Sequence, residues 1–194
     1  DAQKRAAIAK KAYDAARAHS PEIVQAEAFV VDVLQHVIIA TSQGVWAEDE
    51  RARTRLGISA VASNASEMQT GFEGPGAGKG FEFFDELDVE QTAVTAAEVA
   101  VKSLHAPFAP AGRMPVVIDG GFGGVIFHEA CGHSLEATSV APGNSVFSGK
   151  LGEKIASPCV SAVDDGTLKN AWGTTDMDDE GSPTRRNLLI ENGV

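Results

Sequence analysis

The chain has 194 residues, 43% hydrophobic and 22% charged, the balance of a soluble globular protein able to bury a core without disulfide staples. Sixteen Lys and Arg against 27 Asp and Glu give a net charge of −11, which disfavours nucleic acid and other phosphate-rich partners, because that binding rests on basic side chains. No stretch approaches the ~20 apolar residues of a membrane span. The two cysteines, Cys131 and Cys159, fit free thiols in a reducing compartment better than a disulfide framework. No signal peptide is visible, so the expected location is cytoplasmic, although a start at Asp1 rather than Met points to an upstream segment.

Residues 1–19 are rich in Ala, Lys and Arg, with Ile8, Ala12 and Ala15/Ala16 at helical spacing, and Ser20-Pro21 stops that helix. The period then changes. Residues 23–34, 37–46 and 51–62 are rich in Val, Ile, Ala and Thr and read as an antiparallel meander, broken at Gln35-His36 and turned at Ser42-Gln43-Gly44. Its polar face is expected to carry Glu48, Arg51, Arg53 and Arg55. Glycines 74, 76, 78 and 80 mark a flexible loop. Residues 88–105 return to helix, with Asp88 as N-cap and Val89, Ala93, Ala96/Ala97, Ala100/Val101 and Leu104 as the buried stripe. Pro107 and Pro110 punctuate a linker, which divides the chain into domains 1–110 and 111–194.

The second part opens with an expected strand at 114–119, the turn Gly120-Gly121-Phe122-Gly123-Gly124 and a helix from about 125 to 137. Residues 139–157 read as loop, and 159–163 and 188–191 as strands, with turns at Asp164-Asp165-Gly166 and Asn192-Gly193. Asn-Gly calls for a returning strand. The chain stops one residue later, so a truncated piece of a longer protein is expected. The fold class is α+β: a meander flanked by helices, a strand, glycine turn and helix, then the start of a β-rich domain.

That helix contains His128-Glu129-Ala130-Cys131-Gly132-His133. Catalytic zinc takes three protein ligands and leaves one position for water, whose pKa the metal lowers to about 7 so that a nearby Glu can accept its proton. The common helical form, H-E-x-x-H, spaces its histidines by four and so puts them on one face. Here the spacing is five, which on an ideal helix leaves the rings about 140° apart. One inserted residue realigns them, so the spacing predicts a π-bulge or break between Glu129 and His133, with Gly132 as the permissive position. The alternative is two packed or surface histidines with no metal.

Around the motif, Met114-Pro115-Val116-Val117, HEACGHSLE, Ser145-Val146-Phe147-Ser148-Gly149, Ala156-Ser157-Pro158-Cys159, Val163-Asp164-Asp165-Gly166-Thr167, Asp178-Asp179-Glu180-Gly181-Ser182-Pro183 and Leu189-Ile190-Glu191-Asn192-Gly193 together resemble the TldD/PmbA family, on its metal-bearing TldD branch. Residues 78–84 and the helix around 98 fit the family's middle more loosely. The resemblance implies a cytoplasmic zinc peptidase acting on extended or unfolded peptides, including peptide-antibiotic precursors. It implies a dimer, with itself or with a PmbA-type subunit that lacks the metal. It makes His128 and His133 zinc ligands and Glu129 the general base. It assigns the third ligand to a cysteine far downstream of Val194, so this stretch alone is expected to be inactive.

Other features are read more plainly. Cys131 is taken as a small core residue, and Cys159 is at most an adventitious ligand. Gly74 to Gly80 fails the P-loop pattern and residues 120–124 fail G-x-G-x-x-G. Asp178-Asp179-Glu180 reads as a solvated turn or a structural part of a peptide cleft. Glu136 is either a surface residue or the carboxylate that orients His133. Asn64-Ala65-Ser66 matches a glycosylation sequon without meaning in the cytoplasm, and His19, His36 and His105 have no ligand-like spacing. The rival functions are a non-catalytic peptide-binding or assembly subunit, against which the intact motif argues, and gyrase modulation, an older family label that the charge disfavours.

Overall fold

The structure is a computed structural model and describes residues 2–194. Two compact units result, Asp1–Phe108 with Gly166–Thr184, and Ala109–Asp165 with Arg185–Val194. Among the described residues no helix is long and apolar enough to cross a membrane.

In the first unit the Ala-rich segment forms α1 (Ala2–Ala18), and the chain then enters an antiparallel hairpin of two 18-residue strands, β1 (Ile23–Ala40) and β2 (Trp46–Ser63). The break expected at Gln35-His36 does not occur: these residues pair with Arg51 and Glu50 in an unbroken ladder. Neither Gln nor His dictates a turn backbone. Ser42-Gln43-Gly44 does, with Gly44 at φ 88° and Thr41 bonded to Val45 across the reversal. β3 (Met68–Glu73) pairs with the second half of β2. The expected glycine loop is partly strand as well, because Gly76–Ala77 forms a short β4 against Thr54 and Arg55.

Alternation along β2 sets the core. Leu56, Ile58, Ala60 and Ala62 are fully buried, and they face Ala12 and Ala16 of α1 and the stripe Val89, Ala93, Ala96, Ala97, Ala100 and Leu104 of α3 (Val89–Leu104). Asp88 caps α3 as its position predicts, accepting the Gln91 amide at 2.9 Å. A single turn, α2 (Phe83–Glu86), precedes it and was not legible as helix. The alanine stripe lets α3 sit directly on β3. At Gly71 a Cβ would stand 2.0 Å from the Ala96 carbonyl oxygen.

On the opposite, odd-numbered face of β2 the arginines are not solvated as expected. The Arg51 side chain is 11% exposed and donates to Asp49 (2.8 Å), to Asp179 (3.1 Å) and to the Met177 carbonyl (2.9 Å). Arg53 donates to the Trp172 carbonyl at 3.0 Å, and Arg55 lies over the Trp172 ring. Three arginines therefore clasp Gly166–Thr184 to the sheet. The bonds to Asp49 and Asp179 hold the Arg51 proton more tightly than in a free guanidinium.

The second unit is less regular. Residues 114–119 form no strand, so that expectation fails; Val116 and Val117 are open to solvent, and among the described residues no neighbouring strand supplies backbone partners. β5 (Ala162–Asp165) and β6 (Arg186–Ile190) pair antiparallel, β5 starting three residues later than expected. Asn192-Gly193 forms the turn its residues call for, with φ of 50° and 88°, and Glu191 and Val194 exchange both backbone hydrogen bonds across it.

Candidate metal centre

The helix expected at about 125–137 is built in segments. A 3₁₀ turn at Gly121–Gly124 leads into α4 (Val125–Phe127), a π turn spans His128–Gly132, a 3₁₀ turn covers His133–Leu135, and α5 (Ala137–Val140) follows. The decisive bond runs from the His133 amide to the His128 carbonyl, five residues back. This is the inserted residue that the five-residue spacing requires. It brings the two imidazoles to 4.3 Å between ring centroids, inclined at 66°.

Gly132 is not the cause of the π turn. It has ordinary right-handed helical angles, φ −55° and ψ −55°, and an added Cβ would stand 3.5 Å from the nearest atom, Nδ1 of His128. The conformational freedom assigned to this glycine from the sequence is unused.

One ligand atom from each of His128, Glu129 and His133 lies within 4.8 Å of the others, the one such grouping of His, Cys, Asp and Glu among the described residues. Two nitrogens on one tetrahedral zinc are about 3.4 Å apart, given bonds of about 2.0–2.1 Å. All three side chains are exposed, so a metal and a water can reach them. Two imidazoles suit zinc and other borderline divalent ions, and the Glu129 carboxylate stands beside them. His133 sits between two acids: Nε2 is 3.9 Å from Oε2 of Glu129, and Nδ1 is 2.8 Å from Oε1 of Glu136. Glu136, which its spacing leaves open between surface residue and partner, is the partner.

The other candidates stand apart from this group. Cys131 is half-buried and Cys159 is exposed, its thiol 3.2 Å from the Ser157 hydroxyl. In the acidic cluster of the first unit, Asp179 serves Arg51. Asp178 accepts the amides of Ser182 and Glu180, which hold its carboxyl below the usual carboxylate range. His36 pairs with Glu50 and His105 with Glu22. One feature escaped the sequence: an apolar hollow of about 510 Å³ in the second unit, lined by Leu135, Val140, Phe147, Leu151, Leu188 and Leu189. Its residues come from four separate stretches, so no local pattern announces it.

Residues 1–104 match the family model described as the PmbA/TldA metallopeptidase central domain, and residues 111–194 match the C-terminal domain of the same family. A Haemophilus influenzae protein named a metalloprotease TldD homolog is 39% identical over 184 residues, covering 92% of this chain and 38% of its own length. A metalloprotease from Methanothermobacter thermautotrophicus is 37% identical over 172 residues, covering 89% of this chain and 38% of its own. The chain thus spans under two-fifths of these relatives. In fold, a Thermotoga maritima protein described as a proposed modulator of a DNA gyrase superposes with a TM-score of 0.81 at 25% identity, covering all of this chain and 44% of its own. TldE from Thermococcus kodakarensis does so with 0.67 at 23%, covering 97% and 42%.

Proposed function

Since the chain belongs to the TldD/PmbA family of metallopeptidases, we propose that the complete protein is a zinc-dependent peptidase cleaving extended or unfolded peptides, with His128 and His133 as ligands and Glu129 as general base. The observation that carries this reading is the π turn at His128–Gly132, which draws the two imidazoles and the carboxylate together where a regular helix would splay them. A distortion of that kind, placed within the motif, serves a ligand better than it serves packing.

When bound, zinc supplies Lewis acidity and brings the pKa of water to about 7. The residues of this chain do the rest. His128 and His133 present ring nitrogens from consecutive turns. Glu129, 3.9 Å from the His133 ring, takes the proton of the attacking water and returns it to the departing amine nitrogen. Exposure of all three admits a peptide backbone without local unfolding. A third protein ligand is required, and the family resemblance makes it a cysteine downstream of Val194. The working unit is proposed to be a dimer, with a second copy or a PmbA-type subunit, in the cytoplasm, where Cys131 and Cys159 stay reduced.

The test is hydrolysis of an unfolded peptide by the complete protein, wild type against Glu129→Gln, with zinc content measured in both. Loss of general-base catalysis costs about 10²–10⁴-fold in rate. The reading predicts that loss with zinc retained. Hydrolysis unchanged in Glu129→Gln rejects Glu129 as the base, and a zinc-free, chelator-insensitive wild type rejects the metal.

A further inference from the structure

We infer that Glu136 is a positioning residue: its carboxylate holds the Nδ1 proton of His133, fixing the ring tautomer and orientation so that Nε2 is presented as a donor. This rests on the reading of His133 as a ligand and extends it to a residue outside the H-E-x-x-x-H pattern.

The geometry is specific. Oε1 of Glu136 lies 2.8 Å from Nδ1, a charge-assisted hydrogen-bond distance, while Nε2 is turned towards Glu129 at 3.9 Å. The two ring nitrogens thus face different carboxylates, one bonded and one merely near. With Nδ1 as the donor, the neutral ring carries its lone pair on Nε2, the side facing Glu129.

The backbone sets this arrangement up. The 3₁₀ turn His133–Leu135 ends at Glu136, which leaves helical angles for φ −64° and ψ 137°. Its carbonyl is fixed by the amides of Ser139 and Val140, both at 2.9 Å, as α5 begins. One residue before His133's own 3₁₀ neighbour Leu135, the Ser134 carbonyl accepts the Ser145 hydroxyl, tying this turn to the following loop. Glu136 occupies the N-cap position of α5 but makes no capping bond with its side chain, which folds back onto His133 instead. A carboxylate able to cap a helix and found bonding a candidate ligand has an orienting role. Metal-binding histidines almost always donate their second ring N–H to such a partner, and its removal costs about 10–100-fold in metal affinity.

The experiment has two readouts on the complete protein. The first is the ¹⁵N–¹H long-range imidazole spectrum of the metal-free form, recorded at a pH where the ring is neutral, which distinguishes an Nδ1–H tautomer from an Nε2–H one. The second is zinc affinity by competition with a chromophoric chelator, for wild type, Glu136→Ala and Glu136→Gln. The expected result is an Nδ1–H ring for His133 in wild type, lost in Glu136→Ala. Zinc affinity should fall about 10–100-fold in Glu136→Ala and recover in large part in Glu136→Gln, whose amide oxygen still accepts the Nδ1 proton. A neutral ring carrying its proton on Nε2 in wild type overturns the proposal, as does a Glu136→Ala affinity equal to wild type. Should Glu136→Ala misfold, the wild-type spectrum and the Gln variant still decide. Absence of zinc binding in wild type with an Nδ1–H ring sinks the ligand reading, and the orienting role with it, a result distinct from a defect confined to the variants.

Discussion

Replacing Gly132 with alanine separates two explanations of the π turn. If the turn depends on a glycine, the substitution straightens or breaks it and disperses the ligands. The angles say otherwise: φ −55° and ψ −55° suit any L-residue, and the new methyl would meet nothing nearer than Nδ1 of His128 at 3.5 Å, an ordinary contact. Alanine is favoured over glycine in a helix by roughly 0.8–1 kcal/mol, mostly because the unfolded chain loses freedom. Gly132→Ala should therefore stabilise the protein by up to about 1 kcal/mol, a midpoint increase of roughly 2–4 °C for a domain near this size. Zinc affinity should stay within about twofold of wild type, because a contact at ordinary distance exacts little strain. Thermal unfolding monitored by circular dichroism, with chelator competition for zinc, measures both. A destabilised variant, or a tenfold loss of zinc affinity, refutes the claim that backbone bonding and not glycine sets the turn.

Gly71→Ala should behave in the opposite way. Its Cβ would lie 2.0 Å from the Ala96 oxygen and 2.7 Å from the Ala100 nitrogen, both helix backbone, so α3 must lift off β3 at a cost of about 3 kcal/mol or more, visible as a lower urea midpoint. Arg51→Ala removes the donor shared by Asp49, Asp179 and the Met177 carbonyl and leaves the Asp49 side chain, 3% exposed, without its cation. A loss of about 3–5 kcal/mol is expected, with faster hydrogen exchange across Gly166–Thr184. The Asp178 carboxyl titrates below its ordinary value because it accepts the Ser182 and Glu180 amides. Its stabilising effect is complete above the unfolded-state pKa of about 3.9 and fades as pH falls through the lower folded value, so acid unfolding of Asp178→Asn should show a shallower dependence in that range.

Much of the fold follows from local rules that the residues state openly. Asp88 is a cap, the alanine stripe of α3 has a 3.6-residue period, Gly44 turns a hairpin and Asn192-Gly193 another, and each is found where its chemistry puts it. The errors share a different cause. Gln35-His36 looked like a break because polar residues interrupt an apolar run, yet a two-stranded ladder needs only backbone bonds and tolerates them. Arg51, Arg53 and Arg55 looked solvated because nothing nearby in sequence would cover them. Their partners, Trp172, Met177 and Asp179, come from more than a hundred residues away. Residues 114–119 have the Val-rich composition of a strand but no partner strand, and composition alone cannot supply one.

At the candidate metal centre the spacing of His128 and His133 is informative because it is wrong for an ideal helix, and the hydrogen bond from the His133 amide to the His128 carbonyl answers it directly. The position of the fault was legible and its mechanism was not, since Gly132 turned out to be a bystander. Glu136 shows the same limit. A spacing of three after His133 allows contact on a helix, but whether that side chain faces the ring or the solvent depends on the chain leaving the helix at Glu136, which no periodicity reveals.

The most direct test of the account is anomalous scattering at the zinc edge from crystals of the complete, metal-loaded protein. The account predicts one strong peak about 2.0–2.1 Å from a ring nitrogen of His128 and of His133, Nε2 in the latter, with the π turn retained and Glu129 beside the metal. A peak elsewhere, or a regular α-helix through His128 to His133 with the rings pointing apart, contradicts it.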